Sequence, residues 1–158
     1  MTNNFKENLQ DTEALLAPYK NNVLPHFING QAIPSQSAAT FDNYSPIDNH
    51  KIGSIASGDR DDIEIACEAA FQAFHEWRNT AGKIRKKLLH KVADGIEKRA
   101  RDIALVESYD SGQAIRFMSK AAIRGAANFR FFADMAPSAS DGKSLPAEEH
   151  LNYSLRQP

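Results

Sequence analysis

Residues 43–77 read NYSPIDNHKIGSIASGDRDDIEIACEAAFQAFHEW, and within this stretch the apolar period changes. With Thr40–Asp42 ahead of it, the part up to Ser57 reads as a strand, a turn rich in Pro, Asp and Asn, and a second strand. From Ser57-Gly58-Asp59 onward the period is helical. Asp59 suits an N-cap, and Asp61, Asp62 and Glu64 put negative charge on the first turn, where free N–H groups favour it. Ile63, Ala66, Cys67, Ala70, Phe74 and Trp77 then recur at three- and four-residue steps as a single apolar stripe, with Cys67 expected to be an inert buried thiol. A paired strand followed by an amphipathic helix is the local order of an α/β protein.

Toward the N-terminus, HFINGQAI (26–33) sets Asn29-Gly30 between apolar flanks, the signature of a tight hairpin. Residues 1–24 are polar and mixed in charge and read as a flexible arm, with Phe5, Leu9 and Leu15–Leu16 able to form only a turn or two of helix. Toward the C-terminus, a cap at Thr80 opens a second helix whose Ile84, Leu88, Leu89, Val92 and Ile96 share a face. A third helix spans about 102–111 and stops at Gly112, a suitable left-handed C′ residue. A fourth, about 114–135, carries Ile115, Met118, Ala122, Gly125, Phe129 and Phe132 on one stripe. Residues 136–150 are loop by composition. LNYSLRQP (151–158) alternates apolar and polar side chains as a strand does, and Pro158 lacks a backbone donor. Such a strand needs a partner, which is either an earlier segment or sequence not in this chain.

Composition narrows the function classes. The 158 residues, 42% hydrophobic and 25% charged, suffice for one domain with a core. Nineteen basic against 20 acidic residues leave a net charge of −1, which gives no electrostatic basis for binding nucleic acid or an anionic membrane. Cys67 is the only cysteine, so an internal disulfide is excluded and a reducing, cytoplasmic setting is expected. The first 25 residues hold no apolar export segment. No glycine lies two positions from another, so no dinucleotide fingerprint or P-loop is present. His26, His50, His75, His90 and His150 are scattered without metal-ligand spacing. The basic run Lys83, Arg85, Lys86, Lys87 and Lys91 reads as the solvated side of an amphipathic helix; the alternative is a small helical module using that face on an acidic partner.

Five segments, taken in order, carry a resemblance. HFINGQ, the 43–77 stretch, LVESYDSGQAI, NFRFFADMA and GKSLPAEEHLNYSLRQP are similar to consecutive landmarks of the N-terminal part of an aldehyde dehydrogenase, over about residues 25–158. IRGAANFRFFA and the final segment are most similar to dehydrogenases of hydroxymuconate-type semialdehydes, including 5-carboxymethyl-2-hydroxymuconate semialdehyde, which act in aromatic-compound catabolism. Gln113 departs from the family's usual lysine in that landmark, and the arm before Pro25 is longer than usual.

The resemblance implies an α/β N-terminal fragment: short β-hairpins, four helices, then the first strand of an oligomerisation arm. The arm at 1–24 would precede the start of the NAD(P)-binding domain at 25–150, and 151–158 would open the oligomerisation hairpin, its partner strand missing. The nucleophilic Cys, general-base Glu and oxyanion Asn of the family come later than residue 158, so the chain alone should be inactive and should not bind NAD. The intact protein would be a cytoplasmic homo-oligomer that uses NAD or NADP to oxidise a carboxylate-bearing semialdehyde. By the same resemblance, Asp110 and the backbone carbonyls near Asn43 and Tyr44 would hold a monovalent cation; the alternative is that Asp110 only caps or pairs at its helix end. The fourth helix would run along the substrate tunnel. There Phe117, Ala121, Arg124, Asn128 and Phe131 form a second stripe, so Arg124 could grip a substrate carboxylate beside Asn128. The alternative is a surface pair between Arg124 and Asp134 or Glu148.

Overall fold

The computed structural model describes residues 5–139 and 141–157; residues 1–4, Ser140 and Pro158, expected to end the last strand, lie outside it. Five short strands come early: β1 (Val23–Leu24), β2 (His26–Ile28), β3 (Gln31–Ile33), β4 (Thr40–Tyr44) and β5 (Lys51–Ala56). β2 and β3 pair antiparallel, Ile28 opposite Gln31, across a turn in which Asn29 (φ 51°) and Gly30 (φ 75°) are both left-handed. This is the geometry an Asn-Gly hairpin needs. β4 and β5 pair antiparallel from Thr40↔Ala56 to Tyr44↔Lys51, with a break in register between Asn43 and Tyr44. β1 adds to the other edge of β5 in parallel, giving the order β1-β5-β4. A two-residue strand has no period to read, so β1 left no trace in the sequence pattern.

Among the described residues there are five α-helices, one ahead of these strands, α1 (Phe5–Leu16), and four after them, α2 (Arg60–Trp77), α3 (Gly82–Lys98), α4 (Ala100–Ser111) and α5 (Ile115–Met135). The segment expected to be an arm is thus helical, and it lies against α4. Thr12 is buried with its hydroxyl donating to the Asn8 carbonyl at 2.7 Å, and Arg101 of α4 pairs with Asp11. The weak amphipathic pattern becomes a helix because α4 offers a surface to pack on, which local sequence does not report.

α2 begins where expected. Asp59 Oδ1 accepts from the N–H of Asp61 and Asp62 at 2.9 and 3.1 Å, and Asp62 Oδ2 accepts from the Asp59 N–H at 3.1 Å, a reciprocal capping box. Asp62 is buried and also accepts from Ser35 Oγ (2.8 Å) and the Gln36 N–H (3.0 Å), so the helix start is tied to the loop after β3. Beyond that first turn the expected apolar stripe has little to cover it. Ile63, Phe74 and Trp77 are exposed, and Cys67, expected in a core, is exposed with them. Periodicity identifies the stripe but not whether a partner surface lies over it.

α3 starts at an Ala81 cap rather than at Thr80, whose hydroxyl donates backwards to the Glu76 carbonyl at 3.1 Å. Arg85 closes the junction by donating to the carbonyls of Thr80, Trp77 and Arg78, so it caps the C-terminus of α2 instead of facing solvent. Gly82 allows a close approach, since a Cβ there would overlap the Ala136 carbonyl. α3 and α5 share the chain's most extensive packing, through small residues: Ala93, Ala126 and Ala133 are fully buried, with Met118 and Ala122 on the same ridge of α5. Phe129 and Phe132, expected on that ridge, are exposed, as are Ile84, Leu88 and Val92 of α3. α4 ends at Gly112 with φ 72°, as its sequence foretells. The final strand also finds a partner: β7 (Asn152–Tyr153) pairs antiparallel with β6 (Ser144–Leu145), inside the stretch expected to be loop. An earlier segment therefore pairs with one edge of this strand.

Candidate functional site

The first expected site lies where the β4–β5 hairpin meets the last turn of α4. Asn43 Nδ2 donates to Asp110 Oδ1 at 2.6 Å, a contact between residues 67 apart in sequence. Both border a cavity of about 350 Å³ whose walls include Leu24, Ile52, Gly53 and Val106. Tyr44 does not line it; its hydroxyl donates to Asp42 Oδ2 at 3.4 Å. The β4–β5 ladder shifts register between Asn43 and Tyr44, next to the Asn43–Asp110 bond. One carboxylate with carbonyl oxygens is a hard, weakly charged donor set that suits a monovalent cation. Among the described residues no three His, Cys, Asp or Glu side chains gather as a metal site.

Several contacts hold this corner. His50 Nδ1 lies 2.5 Å from Asp48 Oδ1, and its Nε2 lies 2.8 Å from the Tyr109 hydroxyl. Burial, then the Glu13 and Asp48 carboxylates, push the Tyr109 phenol above its ordinary range, so it is protonated near neutrality. A Cβ at Gly112 would meet Pro46 Cγ at 3.1 Å, so the turn and the helix end touch closely. Nothing local announces the His50–Tyr109 contact, which joins residues 59 apart.

The second expected site is the outer stripe of α5. Phe117, Arg124, Asn128 and Phe131 are exposed together on that face, with Ala121 half-buried between them. The side chains of Arg124 and Asn128 make no hydrogen bond or ion pair among the described residues. Asp134, the alternative partner for Arg124, instead accepts from Lys86 Nζ and His90 Nε2, each at 2.9 Å, and both hold its carboxyl below the ordinary range. Arg130, not singled out in the sequence, is the engaged arginine of this helix: it bonds Asp94 (2.7 Å) and Glu97 (2.7 and 2.9 Å) of α3.

Residues 33–158 match the aldehyde dehydrogenase family, and the chain belongs to that family. It is similar to a 2-hydroxymuconic semialdehyde dehydrogenase of Pseudomonas sp. strain CF600, 33% identical over 85% of this chain and 29% of that protein. A long-chain-aldehyde dehydrogenase of Acinetobacter sp. is equally similar, 33% identical over 84% of this chain and 27% of its own length. Among solved structures, HpcC of Thermus thermophilus superposes with a TM-score of 0.87 at 34% identity, over 95% of this chain and 29% of that one. PnpE in complex with nicotinamide adenine dinucleotide superposes with a TM-score of 0.78 at 34% identity, over 85% of this chain and 28% of that one. The chain therefore has the α/β fold of the N-terminal region of an aldehyde dehydrogenase and spans a little over a quarter of the length of these relatives. Among the described residues no helix is long and apolar enough to cross a membrane.

Proposed function

We propose that the whole protein is an NAD-dependent aldehyde dehydrogenase that oxidises a carboxylate-bearing semialdehyde, with Arg124 and Asn128 gripping the carboxylate. The observation that carries this reading is an arginine without a partner, set beside an amide on an exposed helix face between Phe117 and Phe131. A guanidinium in such a position binds a carboxylate through two parallel hydrogen bonds and so aims the aldehyde at the far end. The Pseudomonas relative's name gives a semialdehyde as its substrate, and PnpE was solved with NAD, which supports both the substrate class and the cofactor.

NAD, when bound, supplies the hydride acceptor. No glycine of this chain lies two positions from another, and no step at the nicotinamide is assigned to its residues. Their part in the reading is to position substrate along α5, to hold sodium or potassium through Asp110 and the backbone carbonyls near Asn43 and Tyr44, and to begin an oligomer contact at residues 151–158. The acidic-partner alternative has little to stand on, because Arg85 is spent on capping α2 and Lys86 on Asp134.

In the full-length enzyme, Arg124→Ala should raise KM for a carboxylate-bearing semialdehyde about tenfold or more, the scale of one charge-assisted contact, and leave KM for a neutral aldehyde nearly unchanged. Equal changes for both substrates would refute the substrate role.

A further inference from the structure

The β4–β5 hairpin and the end of α4 touch through two neighbouring polar contacts. Asn43 meets Asp110, and His50 meets Tyr109, the residue before it. The hairpin brings Asn43 and His50 near each other: the Ser45 N–H donates to the His50 carbonyl at 2.9 Å, and Tyr44 faces Lys51 in the ladder. The imidazole is itself held from behind. Asp48 Oδ1 accepts from the His50 backbone N–H (3.3 Å) and lies 2.5 Å from Nδ1, which favours the tautomer with its proton on Nδ1. Nε2 is then a bare acceptor, and the Tyr109 hydroxyl donates to it at 2.8 Å. The two rings meet edge-on, with centroids 5.6 Å apart. Each link of Asp48–His50–Tyr109 thus fixes the direction of the next.

We infer that the Asp48–His50–Tyr109 chain is a clamp that positions Asp110 against Asn43. Without the Tyr109 hydroxyl, the turn at 45–50 loses its directional bond to α4. The close approach of Pro46 and Ile47 to Gly112 and the Asn43–Asp110 bond itself remain, but none of them directs the turn as the hydroxyl does. Asp110 is exposed and Asn43 half-buried, so water competes for the contact once that register loosens. Tyr109, His50 and Asp48 are positioning residues; what the positioned contact serves rests on the cation reading proposed above.

The test is a double-mutant cycle in the full-length protein, with Tyr109→Phe, Asn43→Ala and the pair compared by denaturant midpoint. If the clamp sets the contact, the midpoint shift caused by Asn43→Ala falls to less than half in the Tyr109→Phe background. Additive shifts overturn the proposal. His50→Ala, which removes the acceptor for the Tyr109 hydroxyl, should lower the Asn43→Ala shift as far as Tyr109→Phe does; a shift left at its wild-type size would overturn the role of His50. A second arm titrates potassium and sodium against the melting temperature. Tyr109→Phe should raise the cation midpoint about fivefold, the effect of one net hydrogen bond, whereas a clamp that only stabilises the fold lowers the melt and leaves the midpoint in place, which overturns the positioning role. A wild-type protein indifferent to both cations would refute the cation reading, and the cycle would still decide the clamp.

Discussion

Replacing Ala126 by leucine should loosen the α3–α5 pair, and the structure sets the size of the effect. Ala126, Ala93 and Ala133 have no accessible surface, and Arg130, one turn beyond Ala126, reaches Asp94 and Glu97 across the same seam. Helices that meet through alanines leave no room for three added carbons, so the larger side chain must push the helices apart or leave its preferred rotamer. Overpacking of this kind costs about 1–3 kcal/mol, and three carbons put the change at the upper end. For a chain of this length that is a fall in Tm of about 5–10 °C. Ala127 provides the control: it is one residue away in the same helix but exposed, and leucine and alanine have similar helix propensity, so Ala127→Leu should stay within about 2 °C of wild type. Thermal unfolding followed by circular dichroism at 222 nm reads both variants. Equal melting of Ala126→Leu and Ala127→Leu would show that the seam is not closely packed and would refute the argument.

Two further outcomes follow from electrostatics and exposed surface. Lys86, then His90, depress the Asp134 carboxyl in the folded state, so this link between α3 and α5 contributes stability above the ordinary carboxylate value near 3.9, which is lost as pH falls through the lower folded value. Asp134→Asn should therefore flatten the acid limb of a stability–pH profile below about pH 4, and an unchanged limb would refute the assignment. The chain exposes 12123 Å², against about 7,900 Å² for a compact monomer of its mass. That difference exceeds the surface buried in many obligate dimers, so the 158-residue chain alone should bind an environment-sensitive dye and gain apparent mass with concentration in light scattering. A monodisperse monomer that ignores the dye would contradict it.

Elements whose signals are local were legible in the amino-acid sequence. Asp59 and Asp62 sit three residues apart and cap one another, Asn29-Gly30 has the only backbone freedom its turn accepts, and Gly112 stops α4 in a left-handed conformation; each depends on neighbours within a few positions. The order of strand pair, helix and helices, and with it the family resemblance, could be read for the same reason. Contacts between distant segments could not. Whether residues 5–16 trail free or fold depends on the surface that α4 presents to them, and β7 is paired only because Ser144–Leu145 reaches it. Cys67, Phe129 and Phe132 show the converse: a helical period marks a side chain as apolar and places it on a face, but burial is a property of what lies opposite. The candidate sites divide in the same way. Arg124 and Asn128 share a face because four residues make about one helical turn, which sequence spacing states directly. Asp110 meets Asn43, and Tyr109 meets His50, only because the tertiary fold brings a hairpin onto the end of a helix some sixty residues away, at a closeness that Gly112 permits.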